Sequence, residues 1–516
     1  MPFTSPVLRR ALLVAAVISA ALVWALALAN CWLALQAPFE LEVREGTVWL
    51  YVLAQDAGVS LYDHAQVAFL NMNHGPLNPI FAWWVHRLMP FLPAPIVTRA
   101  FVALLPVGLV GLFLTVVRQP VVALLWAGGM YLFLLGLGPV EFLIGRSDPA
   151  ALFFLAVLLS IAVAMGRSVG MTPTRTGILA AALGAIGAVI MLLNWRYAPP
   201  VGAVWLVAGA EHGLDAALGT RTRRAACYAM LVVLGAAAVF GLVIATEFHG
   251  NLRLYYEHFF GVFTRASGWG AQGRMPYEFY PWELHRGREL VDGAMLIGLV
   301  AALANLAASP RGLARALVWV IALGELWTTT TWGFFYNHGA GGPHYFAPFY
   351  LLAAAFIAGR TNWSRLPAPT GIVLCAILVA GLPWRFVVRQ TETLAGAVAS
   401  GRRFMTELRA VPGIHAAYSE DLQLFKTRYN GEVIDVGDMV AKVAVTGFFG
   451  PDFRARFEQT ERHLRAHPPK LVVVGATSVL SPTLQKLIRD DYVQLLQSPP
   501  LIPAEQLPVT VYRLRN

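Results

Sequence analysis

The sequence predicts an all-α, polytopic membrane domain followed by a C-terminal extracytoplasmic α/β domain. Of the 516 residues, 57% are hydrophobic and only 13% are charged. Long apolar runs recur through most of the chain, whereas short β-prone runs alternate with helix-like stretches near its end. We therefore assign residues 1–390 to a transmembrane domain and residues 391–516 to a soluble domain.

The transmembrane domain contains about eleven segments that are long enough to cross a bilayer, since a span needs roughly 20 apolar residues. They are residues 11–35, 96–117, 120–138, 149–166, 176–193, 198–211, 225–246, 291–308, 313–332, 344–360 and 368–387. Two long loops, 36–95 and 247–290, separate some of them. The first segment is too long for the core of a signal peptide, so we expect an uncleaved anchor.

The distribution of Lys and Arg predicts the orientation, because short cytoplasmic loops carry an excess of both. With Arg9 and Arg10 inside, the connections on the same side are all basic; they contain Arg118, Arg167, Arg175, Arg221, Arg223, Arg224, Arg311, Arg315, Arg360 and Arg365. We therefore predict a cytoplasmic N-terminus, with both long loops and the C-terminal domain outside a bacterial inner (plasma) membrane. The net charge of +10 follows from this arrangement and does not indicate a nucleic-acid partner.

The C-terminal domain follows a connecting segment, 388–410, that we expect to form a helix lying on the membrane surface. Beyond it, the pattern predicts strands at 414–418, 432–436, 470–475 and 508–515, and helices at 421–429, 451–466 and 481–490. This alternation is typical of a small α/β domain.

Four polar clusters lie on the predicted outer face. They contain Glu42, Glu45 and His74 in the first long loop, Arg146 and Asp148 before the fourth span, Arg196 after the fifth, and His338, His344 and Tyr345 after the ninth. Each cluster has a structural explanation when taken alone, as turn residues, interfacial anchors or, for Asp148, a helix cap. Their convergence on one face favours a functional site.

The order of these motifs resembles that of the GT-C superfamily of membrane glycosyltransferases. Glu42-Val-Arg-Glu45-Gly46, followed by a Gly-x-x-Leu-Tyr turn at 58–62 and by His74-Gly-Pro-Leu, is similar to the first outer loop of that superfamily. The segments 145–148 (Gly-Arg-Ser-Asp) and 344–346 (His-Tyr-Phe) correspond to later motifs in the same order. Glu42 stands where members often have Asp, and Arg196 where they often have Lys. The resemblance places the chain near the protein mannosyltransferase and aminoarabinose transferase-like group.

The resemblance implies transfer of a sugar from a polyprenyl-phosphate donor to an extracytoplasmic acceptor, which is a cell-envelope glycan, lipid or protein. Such a reaction needs a carboxylate that takes the acceptor proton and a cation that stabilises the departing phosphate. Glu42 and Glu45 are the candidate bases, and also the candidate ligands if Mg²⁺ or Mn²⁺ takes part. Arg196, Arg146 and His344 are candidates for the phosphate. The remaining substrate-binding candidates are His74, Asp148, Tyr345, His338 and Tyr256, the last in a loop that serves as a lid or as an anchor.

Two other functions remain open. A polyprenyl-linked sugar flippase or transporter would place polar residues near the membrane midplane, often in repeated halves. We find no clear duplication, and Glu325 is the main charged residue inside a span. A non-catalytic membrane scaffold would tolerate the loss of Glu42 and Glu45, so replacement of these residues separates an enzyme from a scaffold.

Overall fold

Long apolar helices form most of the molecule, and short β-strands lie near its C-terminus. The computed structural model describes residues 6–37, 41, 43–56, 58, 75–117, 119–137, 142–167, 172–213, 218–256, 347–360, 384–411, 427–429, 432–434, 462, 465–466, 468, 471–474, 482–497 and 510–515. Within these residues, the helices up to residue 409 are Pro6–Gln36 (α1), Val43–Asp56 (α2), Leu77–Leu88 (α3), Ala94–Thr98 (α4), Ala100–Val116 (α5), Pro120–Leu137 (α6), Ser147–Arg167 (α7), Pro173–Leu193 (α8), Ala198–Gly213 (α9), Leu218–Glu247 (α10), Leu252–Tyr256 (α11), Ala347–Arg360 (α12) and Trp384–Arg409 (α13).

The apolar helices confirm the predicted fold class. Within the described ranges, five stretches are long and apolar enough to cross a membrane: Leu13–Gln36, Ala94–Val116, Ser147–Gly166, Pro173–Leu193 and Arg223–Glu247. Two shorter apolar stretches, Pro120–Gly136 and Ala198–Gly209, lie where further spans were predicted. Helix α12 coincides with the predicted span 344–360. The predicted spans 291–308 and 313–332, and most of 368–387, lie outside the described residues.

Helices α8 and α10 pack backbone against backbone. A Cβ atom added to Gly184 would collide with the carbonyl group of Val232, and one added to Gly235 would collide with that of Ala181. Small residues at such positions let two membrane helices approach closely, which increases their van der Waals contact. These two glycines therefore set the distance between α8 and α10.

Two short helices, α2 and α3, lie in the predicted outer loop 36–95 and pack together through one apolar face. Val48, Trp49 and Val52 of α2 are buried in a small cluster with Ala82 of α3. At the far end of α2, Asp56 accepts hydrogen bonds from the α3 side chains, with Trp83 Nε1 2.9 Å from Oδ1. The two helices thus form one structured unit at the end of the bundle.

Helix α13 is amphipathic and packs against α1. Its buried residues recur with helical spacing and are Leu394, Ala397, Val398, Phe404 and Met405. Asn30 Nδ2 of α1 donates to Thr391 Oγ1 at 2.8 Å, and Arg402 donates to Gln36 Oε1 at 2.9 Å. The helix coincides with the predicted connecting helix 388–410. It also runs without a break across the predicted boundary between 390 and 391, so the division into domains stays a prediction.

The described residues of the C-terminal region form two small antiparallel sheets. The strands are Thr427–Tyr429 (β1), Glu432–Ile434 (β2), Leu471–Val474 (β3), Tyr492–Gln497 (β4) and Thr510–Leu514 (β5), and Pro482–Asp491 forms a helix (α14). Strands β1 and β2 pair with each other, and β5 lies between β3 and β4. The strands predicted at 432–436, 470–475 and 508–515 overlap β2, β3 and β5. The predicted strand 414–418 lies outside the described residues.

One expectation for this region was wrong, and one strand was not predicted. The predicted helix 421–429 ends in strand β1, which pairs with β2 so that Tyr429 faces Glu432. Only Asn430 and Gly431 separate these paired residues in sequence, and Asn-Gly between two β-prone runs is the strongest short hairpin signal. Strand β4 was not predicted, because α14 passes into it without the Gly or Pro that usually marks such a change.

Candidate functional site

A buried ion pair joins Arg99 and Glu45 at one end of the helix bundle. Arg99 Nε donates to Glu45 Oε1 at 2.7 Å, and Arg99 Nη2 donates to Glu45 Oε2 at 2.6 Å. Both side chains are only 1% exposed. Two parallel N–H···O bonds are the geometry in which a guanidinium and a carboxylate interact most strongly. The two buried charges therefore neutralise each other in a fixed orientation.

The ion pair also binds the backbone of the surrounding segments. Arg99 Nη1 donates to the carbonyl oxygens of Ala34 at 2.6 Å and Ala37 at 3.0 Å, at the end of α1. Glu45 Oε2 accepts from the N–H of Leu41 at 2.7 Å, and Oε1 accepts from the N–H of Gly145 at 2.6 Å. The end of α1, the start of α2, the start of α5 and the turn before α7 are therefore held together.

Gly145 can occupy its position only because it has no side chain. A Cβ atom there would lie 2.7 Å from the carbonyl oxygen of Thr98 and 2.9 Å from its Cβ. The Gly145 carbonyl oxygen also accepts a hydrogen bond from Asn78 Nδ2 of α3 at 3.2 Å. The turn 142–146 is consequently fixed by α3 and by the residue that precedes Arg99.

A second polar group follows directly from Gly145. Arg146 Nε lies 3.8 Å from Asp148 Oδ2, and Asn194 Nδ2 donates to Asp148 Oδ1 at 3.4 Å. All three residues are buried, as is Ser147 between Arg146 and Asp148. The group joins the first turn of α7 to the end of α8.

Gly75, which follows His74 in sequence, lies at the same end of the bundle. The N–H of Gly75 donates to the carbonyl oxygen of Leu193 at 3.0 Å, and a Cβ on Gly75 would collide with the carbonyl group of Leu192. Just beyond, a 3-10 turn at Trp195–Tyr197 contains Arg196. The structure therefore brings the first, second and third predicted polar clusters to one end of the bundle through backbone contacts.

Tyr256 lies apart from these buried groups. It is the last residue of α11 and is 55% exposed. Its neighbour Tyr255 packs edge-on against Phe248 with the ring centroids 5.3 Å apart. Burial raises the pKa of Tyr255 to about 12, so its phenol stays neutral at physiological pH.

Gln55 Nε2 donates to Glu247 Oε2 at 3.3 Å, so the end of α10 lies next to the end of α2.

Several predicted site residues cannot be placed. Glu42, His74, His338, His344 and Tyr345 lie outside the described residues, and for Arg196 only the backbone is described. Their predicted roles stay predictions. Some of their neighbours in sequence are described: Leu41 and Val43 flank Glu42, and α12 begins three residues after His344.

The geometry favours a structural role for Glu45. Its two oxygens accept four hydrogen bonds, two from Arg99, one from Leu41 and one from Gly145. A carboxylate in that state has little capacity left for an acceptor hydroxyl or a metal ion. Its predicted roles as base and as metal ligand stay predictions.

Sequence reasoning did not identify Arg99. The signal for it was present, because Arg99 falls in the first turn of the predicted apolar span 96–117. A charged residue within such a span needs a partner of opposite charge, and Glu45 is that partner.

The described part of the chain contains no cluster of metal-ligating side chains. Among those residues, no group of three or more His, Cys, Asp and Glu side chains lies close enough to hold an ion. The divalent cation therefore stays a prediction that depends on residues such as Glu42.

Comparisons with known proteins support the fold. No family model and no curated protein matches the sequence. Among solved structures, the crystal structure of ArnT from Cupriavidus metallidurans bound to undecaprenyl phosphate matches with a TM-score of 0.51 and 13% sequence identity. The match covers 95% of this chain and 97% of that chain. The likeness shows that this chain shares its overall fold with that protein, and the apolar helices are those of a multi-pass membrane protein.

Proposed function

We propose that the protein is a membrane glycosyltransferase that transfers a sugar from a polyprenyl-phosphate donor to an acceptor outside the cytoplasm. The observation that carries the proposal is the fold likeness over 95% of the chain to a protein crystallised with undecaprenyl phosphate. The buried polar groups around Glu45 and Asp148 support it, because they gather at one end of the described bundle.

The transfer requires an acceptor oxygen to attack C1 of the sugar while the bond from C1 to the phosphate oxygen breaks. A general base takes the hydroxyl proton as the new bond forms, and cationic groups stabilise the phosphate that leaves with the lipid. The acceptor is a cell-envelope glycan, lipid or protein. A divalent cation, Mg²⁺ or Mn²⁺, is the proposed cofactor if one is needed.

We assign the general base to Glu42. Glu45 is the less suitable of the two candidates, because Arg99 and two backbone N–H groups already occupy its oxygens. Glu42 directly follows Leu41, whose N–H is one of those groups. The segment that carries the proposed base is therefore attached to the buried ion pair.

The proposed phosphate-binding residues are Arg196, Arg146 and His344. A guanidinium can bind two phosphate oxygens at once, which favours arginine at such a site. Arg146 lies beside Asp148, so the pair presents both charges to a substrate that carries phosphate and hydroxyl groups. The proposed contacts to the sugar and the acceptor are Asp148, together with His74, His338, Tyr345 and Tyr256.

The test is sugar transfer by the purified protein in detergent from labelled polyprenyl-phosphate sugars, with wild type and Glu42→Gln compared at equal folded amounts. Glu42→Gln should lower the turnover number at least about 100-fold, the usual contribution of a general base. Glu407→Gln, which removes a half-exposed carboxylate from α13, is the control and should keep full activity.

Full activity of Glu42→Gln would refute its role as the base. A wild-type protein that transfers no sugar from any donor, yet moves labelled lipid between leaflets in vesicles, would refute the enzymatic function and favour a flippase.

A further inference from the structure

The side chain of Arg99 forms hydrogen bonds with several segments of the chain. Its guanidinium contacts Glu45 of α2 and the carbonyl oxygens of Ala34 and Ala37 at the end of α1. The guanidinium is rigid and planar, and its N–H groups donate in different directions. The segments therefore cannot shift relative to one another without breaking one of these hydrogen bonds. The side chain is 1% exposed, so water cannot replace a lost contact.

Glu45 connects Arg99 to both parts of the proposed site, the part next to the proposed base Glu42 and the part next to Arg146. One carboxylate oxygen binds the N–H of Leu41, next to the proposed base Glu42. The other binds the N–H of Gly145, next to Arg146 of the proposed phosphate site. The distance between the two parts is consequently fixed by a single carboxylate that Arg99 holds in place.

The turn that contains Gly145 cannot compensate by moving alone. Asn78 binds its carbonyl oxygen, and Thr98 lies so close that no Cβ atom would fit. Thr98 is the residue before Arg99. The close contact of Thr98 with Gly145 and the ion pair of Arg99 with Glu45 therefore both hold the turn at the start of α5.

We propose that Arg99 is a positioning residue for sugar transfer, which acts through Glu45 to fix Leu41, the residue before the proposed base in sequence, relative to Arg146 and Asp148. This rests on the proposed function. Arg99 itself touches neither sugar nor phosphate in this proposal. A displacement of about 1 Å between reacting groups can lower a rate about 100-fold, so a residue remote from the reaction can control it.

The test is Arg99→Lys in the purified full-length protein. Lysine keeps the positive charge but has a single ammonium group, which cannot bind both oxygens of Glu45 together with the carbonyl groups of α1. The turnover number per folded molecule should fall about 100-fold, while the KM for the polyprenyl-phosphate sugar changes less than about threefold. Hydrogen exchange at residues 41–45 and 142–146 should become faster.

Asn30→Leu is the matched control, because it removes a buried polar contact between α1 and α13 that involves neither Arg99 nor Glu45. It should lower stability without changing turnover per folded molecule. Wild-type turnover per folded molecule in Arg99→Lys would overturn the proposal, and so would unchanged exchange in the two segments. If Arg99→Lys does not fold, Glu45→Asp keeps both charges but is too short to reach Arg99, Leu41 and Gly145 together, and the same results are expected.

The two proposals fail in different ways. A wild-type protein that transfers no sugar refutes the proposed function. The exchange measurement still decides whether Arg99 holds the two segments, since it does not depend on activity.

Discussion

At the scale of single residues, Glu45 shows why a conservative substitution can mislead. Glutamine has the same shape as glutamate, but one of its two terminal atoms is an NH₂ donor. Each oxygen of Glu45 accepts one bond from Arg99 and one from a backbone N–H. In either orientation, the amide of glutamine would point its NH₂ group at two donors. Loss of activity in Glu45→Gln therefore does not identify the general base.

Glu45→Gln should instead report on stability. It removes the negative charge from the buried pair with Arg99, and breaking a buried ion pair typically costs about 3–5 kcal/mol. The free energy of unfolding in mixed detergent micelles should fall by that amount. Glu407→Gln breaks the exposed pair with Arg403 and should change it by less than about 1 kcal/mol. Equal, small losses in both variants would contradict the buried ion pair.

Residue types alone indicated part of this site. Glu45, Arg146 and Asp148 were identified because several polar clusters converge on the predicted outer face and follow the order of motifs that the resemblance rests on. Arg99 was missed because its partner lies 54 residues away in sequence. Such a pairing depends on how the helices are arranged, and a single sequence shows no distance between remote positions.

At the scale of elements, the helices could be predicted better than the strands. A span is defined by a long run of one kind of residue, so its position can be determined from the local sequence. Strand β4 is stabilised by β5 further along the chain, and its own residues only weakly distinguish strand from helix. The predicted helix 421–429 was wrong at its end for a different reason, because the Asn-Gly pair after Tyr429 is a local hairpin signal that outweighs the helix-like pattern.

The contact between α8 and α10 gives a prediction for an element pair. Gly184→Ala and Gly235→Ala each place a Cβ against a backbone carbonyl group, which cannot rotate away as a side chain can. Each change should lower the free energy of unfolding by about 1–3 kcal/mol, the usual cost of overpacking. Equilibrium unfolding of the purified variants measures this.

Gly241→Ala is the control on α10, where nothing lies within 4 Å of the added Cβ. It should leave stability unchanged or raise it slightly, since alanine favours a helix more than glycine does. If all three alanine variants unfolded alike, the close contact between the helices would be disproved.

At the scale of the whole molecule, the polar residues gather at one end of the described bundle. That end contains the C-terminus of α1, the N-termini of α5 and α7, and the C-terminus of α8. If the N-terminus is cytoplasmic, as the basic loops predict, this end faces outward. A donor on a lipid carrier in the outer leaflet could then reach it.

The orientation can be tested by cysteine labelling in a cysteine-free background. Phe91 is 80% exposed at the polar end, and the exposed Arg175 begins α8 at the opposite end. A membrane-impermeant maleimide should label Phe91→Cys in intact cells, and Arg175→Cys only after the membrane is permeabilised. The reverse pattern would place the polar site in the cytoplasm and exclude an extracytoplasmic acceptor.

Binding of the lipid product tests the proposed function without any sugar or acceptor. A long-chain polyprenyl phosphate should raise the thermal unfolding temperature of the purified protein, because a ligand at 100 times its Kd stabilises the folded state by about 2.7 kcal/mol. The matching polyprenol, which lacks the phosphate, should have little effect. Arg196→Met should reduce the difference between the two lipids, since the cation proposed to bind the phosphate is gone. An equal response to both lipids would mean that the protein recognises only the isoprenoid chain, and the proposed phosphate site would have to be abandoned.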